Sequence, residues 1–203
     1  MTPYQREQWD TLSLVENYIS RQTSSERSEL STAIEKYLDY RHRLDIFLSL
    51  HFNEICTREC FQNNLSACCS KDGIITFFGD VVVNVLASDE THLNTMFNLL
   101  TRPHTSPKCL YLTTSGCAWR IRPSVCALFL CDRAKDAVFS LNPDRKVEWD
   151  ELKREEKDYK WPDKPVVFDY LETVFIEAGI RSPLMYLHNS PGLLRVKKRA
   201  GIL

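Results

Sequence analysis

Apolar residues recur at helical spacing along both ends of this chain. Tyr4, Trp9, Leu12, Val15 and Ile19 return to one face of a 3.6-residue period, which predicts a helix over residues 3–19. Thr2 and Pro3 ahead of them read as an N-cap followed by proline at the first helical position. Thr23 and Glu26 have capping-box spacing. Behind them Leu30, Ile34, Leu38, Leu44, Phe47, Leu48 and Phe52 predict a long helix over 25–52, running nearly to Cys56. ITFFGDVVVNVLA is apolar and β-branched, and so is ambiguous between strand and helix; a helix starting near Thr76 is the expectation. SDETHLNTMFNLL reads as a short helix capped by Ser88. Residues 165–178 read as an amphipathic helix closed by Gly179. Ser182-Pro183 and Ser190-Pro191 look like further helix starts.

The middle of the chain departs from this pattern. CTRECFQNNLSACCSKDG is polar and turn-rich, and predicts a loop. KCLYLTTSGCAW alternates about a Thr-Thr-Ser-Gly turn and predicts a small hairpin with a cysteine on each arm. RPSVCALFLC follows as a turn and a compact apolar segment, and 142–164 as a solvated, charge-laced helix. The fold class expected is therefore mainly α, with helices flanking an irregular cysteine-rich centre that carries a small β-hairpin. The 203 residues read as a single domain with a core over 56–131, an N-terminal helical part over 1–55 and a C-terminal helical part over 142–203.

Composition narrows the function classes. Hydrophobic residues make up 43% of the chain, enough for a core, while six glycines leave little room for a glycine-rich phosphate loop. The net charge of −1 gives no global attraction to nucleic acid or to anionic lipid. The first twenty residues lack the basic-then-apolar order of a signal peptide, and the apolar runs at 74–87 and 166–178 are too short to span a bilayer. A cytoplasmic protein without nucleic-acid or membrane partners is the expectation. The basic tail LLRVKKRAGIL is compatible with an acidic protein partner, though solvation alone accounts for it.

All eight cysteines fall between positions 56 and 131. Cys56 and Cys60 have three residues between them, Cys68 and Cys69 are adjacent, Cys109 and Cys117 flank LYLTTSG, and Cys126 and Cys131 have four residues between them. In a reducing compartment such grouping points to metal ligands or redox centres ahead of disulfide staples. The Cys56/Cys60 and Cys126/Cys131 pairs are near zinc-knuckle spacing, and two such pairs make up a four-thiolate set. Side chains of adjacent residues in an extended segment point to opposite faces. Cys68 and Cys69 therefore meet at one metal only if the loop kinks; otherwise they serve two centres, or only one of them binds. Eight thiols suffice for two four-thiolate sites. Arg122 is a candidate to offset thiolate charge, with a surface arginine before a turn as the alternative. Asp80 is a candidate outer partner or, more simply, a helix cap. His51, one turn before Cys56, is a candidate ligand or a boundary residue of an aromatic helix face, and His92 and His104 are weaker candidates.

The order of these residues resembles the YkgJ-type zinc- or iron-chelating cysteine-cluster family, whose distant members include flagellin lysine N-methylases. The resemblance is carried by Cys56, Cys60, Cys68, Cys69, Asp80, Cys109, Cys117, Arg122, Pro123, Cys126 and Cys131, about a third of the chain. It implies that the cysteines ligate a metal. Two features depart from the family pattern: FQNNLSA separates Cys60 from Cys68, and Ala67 stands where a glycine usually precedes the double cysteine.

Three functions are compatible with this reading. The first is a protein holding zinc, or alternatively an iron–sulfur cluster, in a structural or regulatory role. The second is an iron–sulfur enzyme of methyltransferase or redox type, and the third a metal-free thiol-redox protein. The sequence contains no P-loop, dinucleotide fingerprint or H-E-x-x-H motif. Zinc is favoured over iron–sulfur because the paired spacings suit knuckles and no cysteine is followed by proline.

Overall fold

The N-terminal half is built on two capped helices. The computed structural model describes residues 1–66, 68–70, 76–160 and 166–185. Helix α1 (Pro3–Ser20) begins at Thr2, whose hydroxyl accepts the Gln5 N–H at 3.1 Å while the Gln5 side chain accepts the Thr2 N–H at 2.9 Å. Helix α2 (Ser24–Asn53) starts with the same reciprocal device between Thr23 and Glu26. At 30 residues it is about 45 Å long. It serves as the spine, touching helices from both halves of the chain.

The remaining helices are α3 (Phe78–Ala87), α4 (Glu90–Thr101), α5 (Ser124–Ala127), α6 (Asp132–Phe139), α7 (Pro143–Glu155), α8 (Lys157–Lys160) and α9 (Val167–Glu177). A two-stranded antiparallel hairpin, β1 (Leu112–Thr113) and β2 (Gly116–Cys117), pairs Leu112 with Cys117 and Thr113 with Gly116. The protein is thus mainly helical with a small hairpin, as its hydrophobic period implies. No described helix is long and apolar enough to cross a membrane.

Helix α3 is buried on almost every side, including Gly79, Asp80 and Asn84, because α1 and α9 pack against it. Its valines join Leu12 and Val15 of α1, Ile34, Tyr37 and Leu44 of α2, and Phe168, Leu171 and Phe175 of α9 in one core. A second aromatic group, Phe47, Phe52, Phe139 and Trp149, closes α2 against α6 and α7. Phe168 lies directly over Gly79: a β-carbon there would stand 2.6 Å from Cγ of the ring.

Several local expectations need correction. The polar stretch after α2 is not a loop at its start. The chain continues from α2 into a π-helix (Glu54–Phe61) that carries Cys56 and Cys60, and the Gln62 N–H reaches back five residues to Thr57 O at 2.8 Å. Asp89, not Ser88, caps α4; its carboxylate accepts the His92 N–H at 2.8 Å. Ser182-Pro183 forms a turn instead of a helix start, with the Ser182 hydroxyl bonded to Thr11 at 2.7 Å. Gly179 has φ +80° and closes α9. Pro165, Ser190-Pro191 and the basic tail lie outside the described residues.

The contact at Gly79 yields a direct test. Gly79→Ala places a methyl group inside the buried Phe168 ring, so strain should outweigh the gain in helix propensity. The expected loss is about 1–3 kcal/mol, read as a lower urea midpoint. An unchanged or raised midpoint would show that α9 does not press on α3 in this way.

Candidate cysteine centre

The eight thiols come from segments that the helices hold in place through a few polar bonds. Cys56 and Cys60 are four positions apart in the π-helix and share a face. The Asn63 side chain donates to Arg58 O at 3.0 Å and Glu59 O at 3.1 Å, satisfying carbonyls at the end of that helix. The chain then turns through Asn64 and Ser66, both at positive φ (58° and 37°), toward Cys68 and Cys69. Lys108 donates through Nζ to Leu65 O and, at 3.3 Å, to Ser66 O. The Cys109 N–H donates to Cys69 O at 2.8 Å beside an isolated antiparallel bridge between Ser70 and Lys108.

Beyond this bridge the hairpin turns at Thr114 and Ser115, and Cys117 ends its second strand. The Tyr111 hydroxyl donates to Gln8 Oε1 of α1 at 3.0 Å in the interior. Asn84 of α3 reaches the next segment: its Nδ2 donates to Ile121 O at 2.8 Å, and its Oδ1 accepts the Ile121 N–H at 2.9 Å. One side chain thereby satisfies both polar groups of Ile121, beside Arg122. Pro123 precedes α5, which carries Cys126, and Cys131 stands at the N-cap position of α6. Two residues further on, Arg133 pairs with Glu59 of the π-helix at 2.6 Å. The ion pair is exposed and contributes little energy; it marks where the start of α6 lies alongside the π-helix.

No disulfide joins any of the eight cysteines; Cys56, Cys68, Cys117 and Cys131 are exposed and the other four partly buried. Their charges interact. Desolvation, and then the like charges of Cys68, Cys131 and Cys60, push the Cys56 thiol up to about 11. Desolvation followed by Cys109, Cys117 and Asp80 pushes Cys126 up to about 11. Burial raises Cys109 and Cys117 as well. The adjacent pair divides its roles. Cys68 is lowered to about 6 because the Cys69 S–H bonds to it, and Cys69 is raised for the same reason. Arg122 opposes the thiolate charge at Cys56, Cys68, Cys117 and Cys126.

The thiols thus share one electrostatic neighbourhood in an open arrangement. Among the described residues, no three histidine, cysteine, aspartate or glutamate side chains are grouped to hold a metal ion. As donors, eight free thiols suit a soft or borderline cation such as zinc or iron and do not suit magnesium or calcium. His51 packs its ring edge-on to Phe47 at 4.8 Å, the position of a boundary residue on the aromatic face. The Asp80 carboxylate accepts the Phe77 N–H at 3.0 Å, so it caps α3, and its charge also reaches Cys126. His104 bonds Lys108 O at 2.8 Å.

Sequence reasoning missed Asn84, Gln8 and Arg41. Arg41 of α2 is fully buried, and none of its guanidinium nitrogens has a hydrogen bond of ordinary geometry. Asp45 lies 3.8 Å away, and Asp80 and the Tyr37 hydroxyl add further attraction. Tyr37 in turn lies against Ser124, the first residue of α5. Comparison with known proteins returns no matching family model, no matching curated protein and no matching solved structure. The class that the fold defines is a mainly helical protein with a small antiparallel hairpin and eight cysteines free of disulfides.

Asn84 links the helical core to this cluster. Asn84→Ala leaves the N–H and C=O of Ile121 unpaired, so stability should fall by roughly 1–3 kcal/mol in urea unfolding. A variant as stable as the parent would mean that solvent satisfies Ile121 and that the anchor is dispensable.

Proposed function

We propose that this is a metal-binding protein whose cysteine thiolates hold zinc in a structural or regulatory role. The observation that carries the reading is that eight cysteines free of disulfides are carried by one region, the π-helix, the Cys68-Cys69 turn, the hairpin, α5 and the start of α6, where their charges act on one another. Like-charged sulfurs repel, and a cation provides a reason to gather them. The YkgJ-type resemblance supports the same reading. A cytoplasmic setting, in which thiols stay reduced, belongs to it.

The structural role follows from the composition of the ligand segments. Few apolar residues lie between Phe61 and Gly73, so hydrophobic burial cannot hold that stretch. Zinc bound by thiolates contributes roughly 10–16 kcal/mol in small finger peptides, ample to order such a segment. Zinc is favoured over an iron–sulfur cluster by the short paired spacings and the lack of a proline after any cysteine.

Metal analysis of anaerobically purified protein, with its absorption spectrum, tests the proposal. A colourless protein containing zinc, whose melting temperature falls after chelation, is the expected result. Cys131→Ser should lower metal content and melting temperature together; full metal and unchanged stability would remove Cys131 from the ligand set. A brown protein with iron and acid-labile sulfide would replace zinc and raise the methyltransferase or redox enzyme reading above the structural one. Metal-free protein that forms disulfides on mild oxidation would favour the thiol-redox reading.

A further inference from the structure

A strip of apolar surface on the spine helix has no cover. Ile46 and Leu50 lie one turn apart on α2 and are 45% and 73% exposed, while Phe47 between them is buried. They border a groove of about 370 Å³ between α2 and α7, to which Phe47 and Leu152 add buried apolar surface. The rest of the lining is charged, three carboxylates (Glu148, Glu151 and Glu155) against the single guanidinium of Arg43. That guanidinium is already engaged: it donates to Glu155 Oε2 at 2.9 Å and to Asp39 at 3.4 Å. Among the described residues, neither Glu148 nor Glu151 is paired with a cation. An apolar groove with unpaired acidic groups on its rim fits a segment that is both apolar and basic.

The sequence contains one such segment. Residues 193–203, LLRVKKRAGIL, interleave Leu193, Leu194, Val196, Ile202 and Leu203 with Arg195, Lys197, Lys198 and Arg199, and carry no acidic residue. The described chain ends at Met185, and the place where it ends is within reach of the groove. Leu184 O accepts the Phe78 N–H at 3.3 Å; Phe77 packs on Phe168 with ring centres 6.4 Å apart, and Phe168 on Tyr37 of α2 at 5.3 Å. From Tyr37 the groove begins about 14 Å along α2, at Ile46. Eight residues lead from Met185 to Leu193, a connection of at most about 26–29 Å when extended.

We propose that the basic tail, residues 193–203, binds the α2–α7 groove of its own chain, its leucines and valine against Ile46, Leu50 and Leu152 and its lysines and arginines against Glu148 and Glu151. The short connection favours this occupant over a separate partner, because it gives the tail a local concentration of millimolar order at the groove. The proposal is independent of the metal-binding reading.

The test is zero-length carbodiimide cross-linking of the full chain at high dilution, with the joined peptides identified by mass spectrometry. Amide bonds between Lys197 or Lys198 and Glu148 or Glu151, formed within the monomer, are the expected result. Leu50→Ser leaves every carboxylate and lysine in place and should cut their yield by about tenfold. Glu148→Lys with Glu151→Lys should abolish them, and adding Lys197→Glu with Lys198→Glu should restore them in the opposite sense. Leu50, Glu148 and Glu151 are exposed, so these variants keep the fold. Cross-links to these glutamates found only in covalent dimers would give the groove to a second copy and overturn the proposal. Tail lysines joined only to carboxylates elsewhere, or a yield that Leu50→Ser does not change, would overturn it as well. Each of these outcomes leaves the metal-binding reading as it stands.

Discussion

Asn84 makes the connection on which the placement of the thiols depends. It sits on a helix buried on nearly all sides, yet its amide faces the irregular segment and satisfies both polar groups of Ile121. A buried backbone group without a partner costs more than a hydrogen bond gains, so this segment has a strong preference for one position. The Gln8 bond to Tyr111 does the same for the hairpin, and Lys108 for the turn before the cysteine doublet. The stretch from Gln62 to Ser70 is poor in apolar side chains and relies on such polar anchors, whereas Leu110, Tyr111, Trp119 and Ala127 seat the later cysteine segments in the hydrophobic core.

Much of the frame was legible in the sequence. Helices α1, α2 and α9 follow from apolar residues at helical period, and the Thr2 and Thr23 caps from their spacing to Gln5 and Glu26. The hairpin followed from alternation around Thr-Thr-Ser-Gly. The continuation of α2 into a π-helix was not legible, because a polar stretch has no hydrophobic period and the π pattern has no compositional mark. Ser88 and Asp89 are both good caps, and only backbone geometry chose Asp89.

The site was legible by residue type alone. Grouped cysteines identify soft donors, and their order suggests a shared neighbourhood, but their partners are set by contacts between residues far apart in sequence. Nothing near Asn84 in the chain marks it as more than a polar residue in an apolar helix, since Ile121 is 37 positions away. Arg133 likewise reads as one charge among many until Glu59, 74 positions earlier, is found beside it. Arg122 is the exception. Its place before Pro123 and Cys126 marks it in the sequence, and its positive charge partly counters the burial that raises the Cys56 and Cys126 thiols.

Arg41 extends the charge argument inward. A fully buried guanidinium is unfavourable unless opposite charge accompanies it, and Asp45 at 3.8 Å is half exposed and therefore a weak partner. Asp80 is buried, attracts Arg41, and at the same time opposes ionisation of Cys126. Arg41 offsets part of that carboxylate's charge. Through Tyr37 it also borders Ser124, where the helix bearing Cys126 begins. The buried arginine thus costs solvation in the core, and the attraction of Asp45 and Asp80 offsets part of that cost.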